Sequence, residues 1–230
     1  DEVFEKVERH IIAEFDLYGF KFELSTTLAV TVCVCIAIIL LFAFLTRGLK
    51  SDSTPSKLQC MLEWLTETVS NLCKSSAGHH GKAFVPYIGS LLVFLVVINI
   101  SALFNFFPFF EIHPPSKDIN FTGAMAVTSI LVVIVSGFRY KGLKGWAKSL
   151  ADPMPIMIPF KLMEYITKPM SLCLRLFGNV FAAWIIMELL YAFLPIAAAP
   201  FSAYFDIFDG VLQGFIFSYL TIVYIGEAVE

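Results

Sequence analysis

Several stretches of this sequence run for roughly 20 residues with almost no charge, the length that a helix needs to cross a bilayer. The first is TTLAVTVCVCIAIILLFAFL, at residues 26–45. Only 15% of the 230 residues are charged, whereas a soluble domain usually has about 25%. The chain is therefore predicted to be an all-α, polytopic membrane protein, and nucleic acid is not an expected ligand.

The apolar runs predict about five membrane helices and one amphipathic surface helix, in a single membrane domain covering 1–230. The segments in chain order are an external N-terminal segment (1–25), span 1 (26–46), a cytoplasmic amphipathic helix (55–74), span 2 (84–107), span 3 (119–139) and two further membrane helices (155–194 and 201–228). The amphipathic helix differs from a span because Leu58, Leu62 and Leu65 recur at helical spacing and leave the other face polar. Residues 2–15 are compatible with another short amphipathic helix.

Lysines and arginines are concentrated in two of the connecting segments. Five lie between residues 47 and 83 and four between 139 and 148, whereas the Pro-rich turn between spans 2 and 3 has only Lys117. Basic loops of membrane proteins stay on the cytoplasmic side. The N-terminus and the Pro-rich turn are therefore predicted to lie outside, and the C-terminus inside.

The cysteines do not show the spacing of a metal site or of a disulfide framework. They are Cys33, Cys35, Cys60, Cys73 and Cys173. We expect them to be small buried apolar residues, and we expect neither a metal nor a cofactor.

Arg175 lies inside an apolar run, in the stretch KPMSLCLRLFGNVF at 168–181. An arginine at the centre of a membrane helix costs roughly 2.5–3.5 kcal/mol on insertion scales. Since no acidic residue lies one helical turn away, the compensating charge is expected elsewhere. Glu164 falls within about 20° of Arg175 around the helix axis, and Asn179 lies one turn beyond it. Glu164 either belongs to this polar stripe or forms a boundary ion pair with Lys168.

The last apolar stretch contains a second polar stripe. At about 100° per residue, this stripe consists of Asp206, Asp209, Gln213, Tyr224 and Glu227. Two polar stripes in apolar helices are expected to face each other, a water-filled cleft or another protein. Two alternatives are that the aspartates mark the outer end of this helix and that Glu227 is a solvated tail residue. Glu188, on the preceding helix, points away from the face of Arg175.

The motif LRLFGN at 174–179, preceded by KPMSL and followed by LQGFIFSYLTIVYIGE, resembles subunit a of the F-type ATP synthases. AFVPYIGSL at 83–91, DIN at 118–120 and the order of apolar segments extend the resemblance over most of the chain. The form is closer to bacterial and plastid members than to mitochondrial ones. The resemblance implies a non-catalytic subunit of a complex that makes ATP, located in a bacterial inner membrane rather than a thylakoid membrane. Its implied partners are the ring of c subunits, the b subunits of the peripheral stalk and the rest of the synthase.

In that family, two offset aqueous half-channels carry protons, or sodium ions in some members, to and from a carboxylate on the rotating ring. The resemblance implies that Arg175 is the essential stator arginine, with Gln213 as its partner and Asn179 as a polar neighbour. It assigns Asp118 and Asn120 to the outer half-channel. It also implies that the last two long helices form a tilted hairpin against the c ring.

Two positions depart from the family pattern. Nine residues after the arginine, many members have an acid or a histidine, and this chain has Trp184. Seven residues before Gln213, many have a histidine or a glutamate, and this chain has Asp206. The outer path is therefore expected to use Glu188, with Asp206 or Asp209 opposite.

A stand-alone secondary ion transporter or channel is the alternative function from a different class. Such transporters are built from repeats with paired interrupted helices, and the sequence shows no internal repeat. A third alternative, a purely structural membrane scaffold, leaves Arg175 unexplained.

Overall fold

A computed structural model describes residues 11–17, 20–47, 57–101, 115–151, 156, 158–194, 200–202 and 204–229. Within these residues, a two-stranded hairpin precedes a bundle of helices. The strands are β1 (Ile11–Leu17) and β2 (Phe20–Ser25). The α-helices are α1 (Thr26–Thr46), α2 (Lys57–Ala77), α3 (Val85–Ile100), α4 (Ile119–Ala151), α5 (Ile158–Phe193) and α6 (Gly210–Val229).

The N-terminal hairpin differs from the short helix predicted for residues 2–15. β1 pairs antiparallel with β2, and Leu17 lies opposite Phe20. Isoleucine and phenylalanine, which are frequent in these strands, favour strands over helices. The helix prediction is therefore wrong for residues 11–15, and residues 2–10 lie outside the described residues.

The membrane region is all-α, as predicted, and five helical segments are long and apolar enough to cross a bilayer. They are Thr27–Thr46, Lys57–Ile100, Ile119–Gly142, Ile158–Phe193 and Pro200–Val229. The second segment combines the predicted amphipathic helix, α2, with the predicted span, α3. The positions of these helices relative to a membrane surface stay predictions.

The amphipathic helix α2 packs one face onto the bundle. Val69, Cys73 and Ala77 are buried on that face, and α2 packs against α3 and α6. A short 3₁₀ turn, Gly78–Phe84, joins α2 to α3. Gly81 in this turn has no space for a side chain, since a Cβ there would overlap the carbonyl group of Cys73.

The central contact of the bundle is an antiparallel pair of helices, α3 and α6. Gly210 lies against Asn99, and Gly214 lies against Val96, so that a Cβ at either glycine would crowd the facing helix. Small residues spaced four apart allow membrane helices to approach closely. Gly210 and Gly214 form such a packing motif between α3 and α6.

The two basic loops lie at the same end of the bundle. The ring of Tyr140, just before the kink at Gly142 in α4, lies 4.5 Å from the ring of His80 in the α2–α3 turn. We call this end, which carries Lys74, Lys82, Arg139 and Lys141, the basic end. The arrangement agrees with the predicted orientation, in which both basic loops face the cytoplasm.

Helix α5 is too long to cross a membrane upright. Its 36 residues extend over about 54 Å at 1.5 Å per residue, whereas the hydrocarbon core is about 30 Å thick. Close to the basic end, the indole N–H of Trp146 from α4 donates a hydrogen bond to the Tyr165 hydroxyl at 3.1 Å. Helix α5 packs mainly against α4 and makes few contacts with α6.

The cysteines are less buried than predicted. Cys73 is fully buried, but Cys33 and Cys60 are exposed, and all five are free thiols. The prediction fails for the exposed pair because both lie on helix faces that the described part of the bundle does not cover.

Candidate functional site

Arg175 lies on an exposed part of α5 beside a buried contact with α6. Leu172 and Leu176 are each only 1% exposed and pack with Phe217 of α6. Arg175 itself is exposed. No hydrogen bond or ion pair joins it to a side chain that the structure describes. The described part of the fold therefore does not compensate the charge of the guanidinium group.

The direction of Arg175 follows from Lys168, which lies seven residues earlier. Seven residues are close to two full turns, so the two side chains leave α5 within about 20° of each other. The ammonium group of Lys168 contacts Glu227 of α6 and lies 5.0 Å from the centre of the Tyr224 ring. Arg175 therefore lies on the side of α5 that borders α6.

The surface around Arg175 is open. Asn179, one turn further along α5, is also exposed. A Cβ placed on Gly178 would meet no atom within 4 Å. The structure thus brings Arg175 and Asn179 onto neighbouring parts of one exposed surface, as the helical spacing predicts, and leaves space beside them.

Gln213 is buried within the bundle. Its side chain amide donates a hydrogen bond of 3.4 Å to Asp209 Oδ1, and the residue is only 3% exposed. Gln213 precedes Phe217 by four residues, which is one turn or about 6 Å along α6. Phe217 lies where α5 and α6 meet near Arg175. The structure thus pairs Gln213 with Asp209, and no hydrogen bond joins Gln213 to Arg175 among the described side chains.

A buried hydrogen-bonded group around Asn99 is absent from the sequence-based prediction. The Asn99 amide donates to the Gly210 carbonyl oxygen at 3.1 Å, and the Ser116 hydroxyl donates to Asn99 Oδ1 at 2.7 Å. An asparagine inside span 2 is a signal that could have identified it, because buried amides in membrane helices need partners. The group links the turn before Asp118 to the start of α6, which follows Asp209.

Asp118 and Asn120 contact each other at the start of α4. The Asp118 carboxylate accepts hydrogen bonds from the backbone N–H of Asn120 at 2.9 Å and from its side chain amide at 3.0 Å. This geometry is typical of an N-cap, which stabilises the first turn of a helix. The two residues lie together, with Asn120 exposed, at the end opposite the basic end.

Glu188 lies at the end of an aromatic row on α5. The rings of Phe177 and Phe181 stack with centres 5.3 Å apart, and those of Phe181 and Trp184 lie 6.0 Å apart. Glu188 continues this row at helical spacing and is half-buried. At about 100° per residue, the side chains of this row leave α5 on the side opposite to Arg175. Glu188 and Arg175 therefore belong to different faces of α5, as the sequence predicts.

Asp206 and Asp209 lie in a π-helical segment, Phe205–Asp209, which directly precedes α6. The predicted stripe through Asp206, Asp209 and Gln213 assumes a regular α-helix. A π turn contains an additional residue, so the regular spacing that defines this stripe does not hold across the segment. The side chain of Asp206 is outside the described part of the chain. Such segments are frequent at functional sites.

Glu164 forms the ion pair with Lys168 that helical spacing suggests, at 3.4 Å. The same ammonium group contacts Glu227, 59 residues later, at 2.5 Å. The interpretation of Glu227 as a solvated tail residue is therefore incomplete: its carboxylate is partly in water but joins α6 to α5.

Comparisons with known proteins cover nearly the whole chain. A family model described as "ATP synthase A chain" matches residues 28–226. The chain is 34% identical over 220 residues to "ATP synthase subunit a, sodium ion specific" of Propionigenium modestum, covering 91% of this chain and 75% of that protein. It is 32% identical over 176 residues to "ATP synthase subunit a" of Moorella thermoacetica (strain ATCC 39073 / JCM 9320), covering 76% of this chain and 78% of that protein.

Proposed function

Because the chain belongs to the ATP synthase A chain family, we propose that it is the ion-translocating stator subunit of a rotary F-type ATP synthase. It lies in a bacterial inner membrane beside a c ring, together with the b subunits of the peripheral stalk and the rest of the synthase. The chain itself is not catalytic. It controls how ions reach and leave a carboxylate on the ring.

The observation that supports this function best is the exposure of Arg175 on a membrane helix, without a partner among the described side chains. A cation in this position requires an acid on another polypeptide, because leaving it uncompensated in a membrane is costly. A ring carboxylate that comes close to Arg175 is favoured in its ionised form. It therefore releases its ion near Arg175 and binds a new ion only after it has moved past.

A permanently charged guanidinium group also separates the two half-channels. Arginine does not lose its proton in proteins, whereas a buried lysine can. An ion therefore crosses only while it is bound to a carboxylate of the rotating ring. Each elementary charge that crosses yields about 2.3 kcal/mol per 100 mV of membrane potential. Gln213, one turn from the level of Arg175, is proposed as its partner, and Asn179 as a polar neighbour on the same surface.

The outer half-channel is proposed to use Asp118, Asn120, Glu188, Asp206 and Asp209. Support comes from the hydrogen bonds of Asn99, which hold the start of α6 next to the turn that leads into α4. Glu164, exposed at the basic end, is proposed to belong to the inner path.

The transported ion is a proton or a sodium ion. The relative from Propionigenium modestum is named as sodium ion specific. Measuring ion-driven ATP synthesis with and without added sodium at constant pH distinguishes the two ions.

Co-purification tests the proposed function directly. An affinity tag on this chain is expected to recover an oligomeric c ring from mild-detergent extracts, and a tagged unrelated membrane protein from the same cells is the control. Recovery of the chain alone, fully folded and without c subunits, would contradict the stator function and favour a stand-alone transporter.

Cysteines placed at Asp118 or Asn120 are expected to react with a membrane-impermeant thiol reagent added from outside. The reason is that both positions are predicted to lie at the outer entrance, and Asn120 is exposed. The measurement uses a background in which the five native cysteines are replaced. A variant that retains only Cys73, which is fully buried, is the unreactive control. Labelling only from the cytoplasmic side would reverse the predicted topology.

Glu188→Gln is expected to slow ion flux and ATP synthesis by roughly tenfold. The complete loss of a proton-transfer group has a larger effect. The smaller effect is expected because Asp209 is proposed to lie on the same path. The ring should stay attached. Asp206→Asn should have a weaker effect, and the double variant should be less than additive if the two residues share one path. Glu67→Gln, at an exposed carboxylate of α2, is the matched control. A flux for Glu188→Gln within about twofold of the wild-type value, as for an ordinary surface substitution, would remove Glu188 from the channel.

A further inference from the structure

We propose that Lys168 is a positioning residue that holds the basic ends of α5 and α6 together and prevents ions from passing between the two helices without turning the ring. The inference rests on the proposed function of the chain. It concerns Lys168, Tyr224 and Glu227, which lie on the basic side of Arg175 and to which the resemblance gives no role.

The ammonium group of Lys168 is enclosed by groups from both helices. It lies 3.4 Å from Glu164 of α5 and 2.5 Å from Glu227 of α6. The face of the Tyr224 ring, also from α6, lies 5.0 Å away and favours a cation electrostatically. The Lys168 side chain is 18% exposed, whereas the two glutamates are 58% and 55% exposed. The cation is thus sheltered, and the two carboxylates extend into water.

This contact matters because α5 and α6 touch at few places. One is the buried apolar cluster to which Leu172 and Leu176 of α5 and Phe217 of α6 belong. The other is Lys168, which makes the only ion pair between α5 and α6 among the described side chains. A single apolar contact allows two helices to pivot about it. A second contact, more than one turn away, fixes the gap between them on the basic side.

Helix α6 provides a firm anchor for this bridge. Gly226 lies so close to the backbone of Ser76 in α2 that a side chain has no space there. Glu227 is the next residue and therefore starts from a fixed backbone position. Helix α5 has no comparable contact with α2 among the described residues. Lys168 thus connects the less constrained helix to the fixed one.

The test compares changes that break the bridge with changes that keep it, in the assembled complex in membrane vesicles. Lys168→Gln and Glu227→Gln are expected to raise the passive ion flow per ATP synthesised by about fivefold. A roughly fivefold change is the lower limit of the effect that one site usually has on another through coupling. Lys168→Arg, which keeps the bridge, should stay within about twofold of wild type. Glu67→Gln, at an exposed carboxylate of α2 outside the bridge, should leave the flow ratio unchanged. An increase in Glu67→Gln as large as that in Glu227→Gln, or an unchanged flow ratio in Lys168→Gln, would overturn the proposal.

A covalent substitute for the bridge separates positioning from a direct effect of the charge. The double variant Lys168→Cys with Glu227→Cys, in a background without native cysteines, is expected to be uncoupled. A bifunctional thiol reagent that spans the two lost side chains should cross-link it and restore coupling. Cross-linking without recovery would show that the charge itself is needed, and absence of cross-linking in an assembled complex would refute the contact. Both outcomes overturn this proposal without affecting the role of Arg175.

Discussion

Arg175→Ala is expected to reduce ion-driven ATP synthesis to the background level while the complex still assembles. The side chain is exposed and makes no contact with a described side chain that could stabilise the fold. Its loss therefore removes the charge that makes the ring carboxylate release its ion, and leaves the packing of Leu172 and Leu176 intact. Arg175→Lys should also lose most of the coupled activity, because lysine can lose its proton when it is desolvated.

The measurement is ATP synthesis in inverted membrane vesicles under an imposed ion gradient, with the amount of assembled complex determined in parallel. Lys57→Ala, which removes an exposed cation at the start of α2, is the control and should behave like the wild type. Near-normal synthesis in either Arg175 variant would refute the assignment of this residue.

Gly226→Ala is expected to prevent stable assembly of the chain. A Cβ at this position would overlap the backbone carbonyl of Ser76, and a backbone atom cannot move aside by changing a rotamer. Overpacking of a well-packed interior usually costs about 1–3 kcal/mol, and we expect a loss at or above the upper end of this range. The variant should therefore show a lower unfolding temperature in detergent and a lower yield of complex.

Gly89→Ala is the matched control for this substitution. Gly89 also lies inside a helix, but the nearest atom to a Cβ there is a side chain carbon of Val69 at 3.9 Å, an ordinary contact distance. The control should be as stable as the wild type or more stable, since alanine favours a helix over glycine by about 1 kcal/mol. Equal stability of the two variants would mean that α2 and α6 do not approach as closely as described.

Features that depend on local sequence were predictable in this chain. The apolar run at 26–46 is long enough to cross a bilayer whatever surrounds it, and it forms one helix, α1, over these residues. The Glu164–Lys168 pair follows from a spacing of four residues in a helix. The direction of Glu188, away from Arg175, follows from the same count of residues per turn.

Features that depend on distant contacts or on irregular backbone were not predictable. Glu227 has the composition of a solvated tail, and only the packing of α6 beside α5 brings it to Lys168. Asn99 receives its partners from residues 17 and 111 positions away. Helical counting alone cannot identify the π-helical segment, because one additional residue in a turn leaves the composition unchanged.

The π-helical segment Phe205–Asp209 allows the backbone to rearrange at the start of the last helix. On one side of it, the Gly210 carbonyl is held by Asn99, and at the far end Gly226 is locked against α2. A wide turn can move along a helix by one residue when neighbouring backbone hydrogen bonds change between the α and the π pattern. Such a step turns Asp209 while the body of α6 stays in place, and it breaks the hydrogen bond that Gln213 donates to Asp209. The partner of the Gln213 amide is thus set by this segment, whereas the burial of Gln213 is set by the packing of α6.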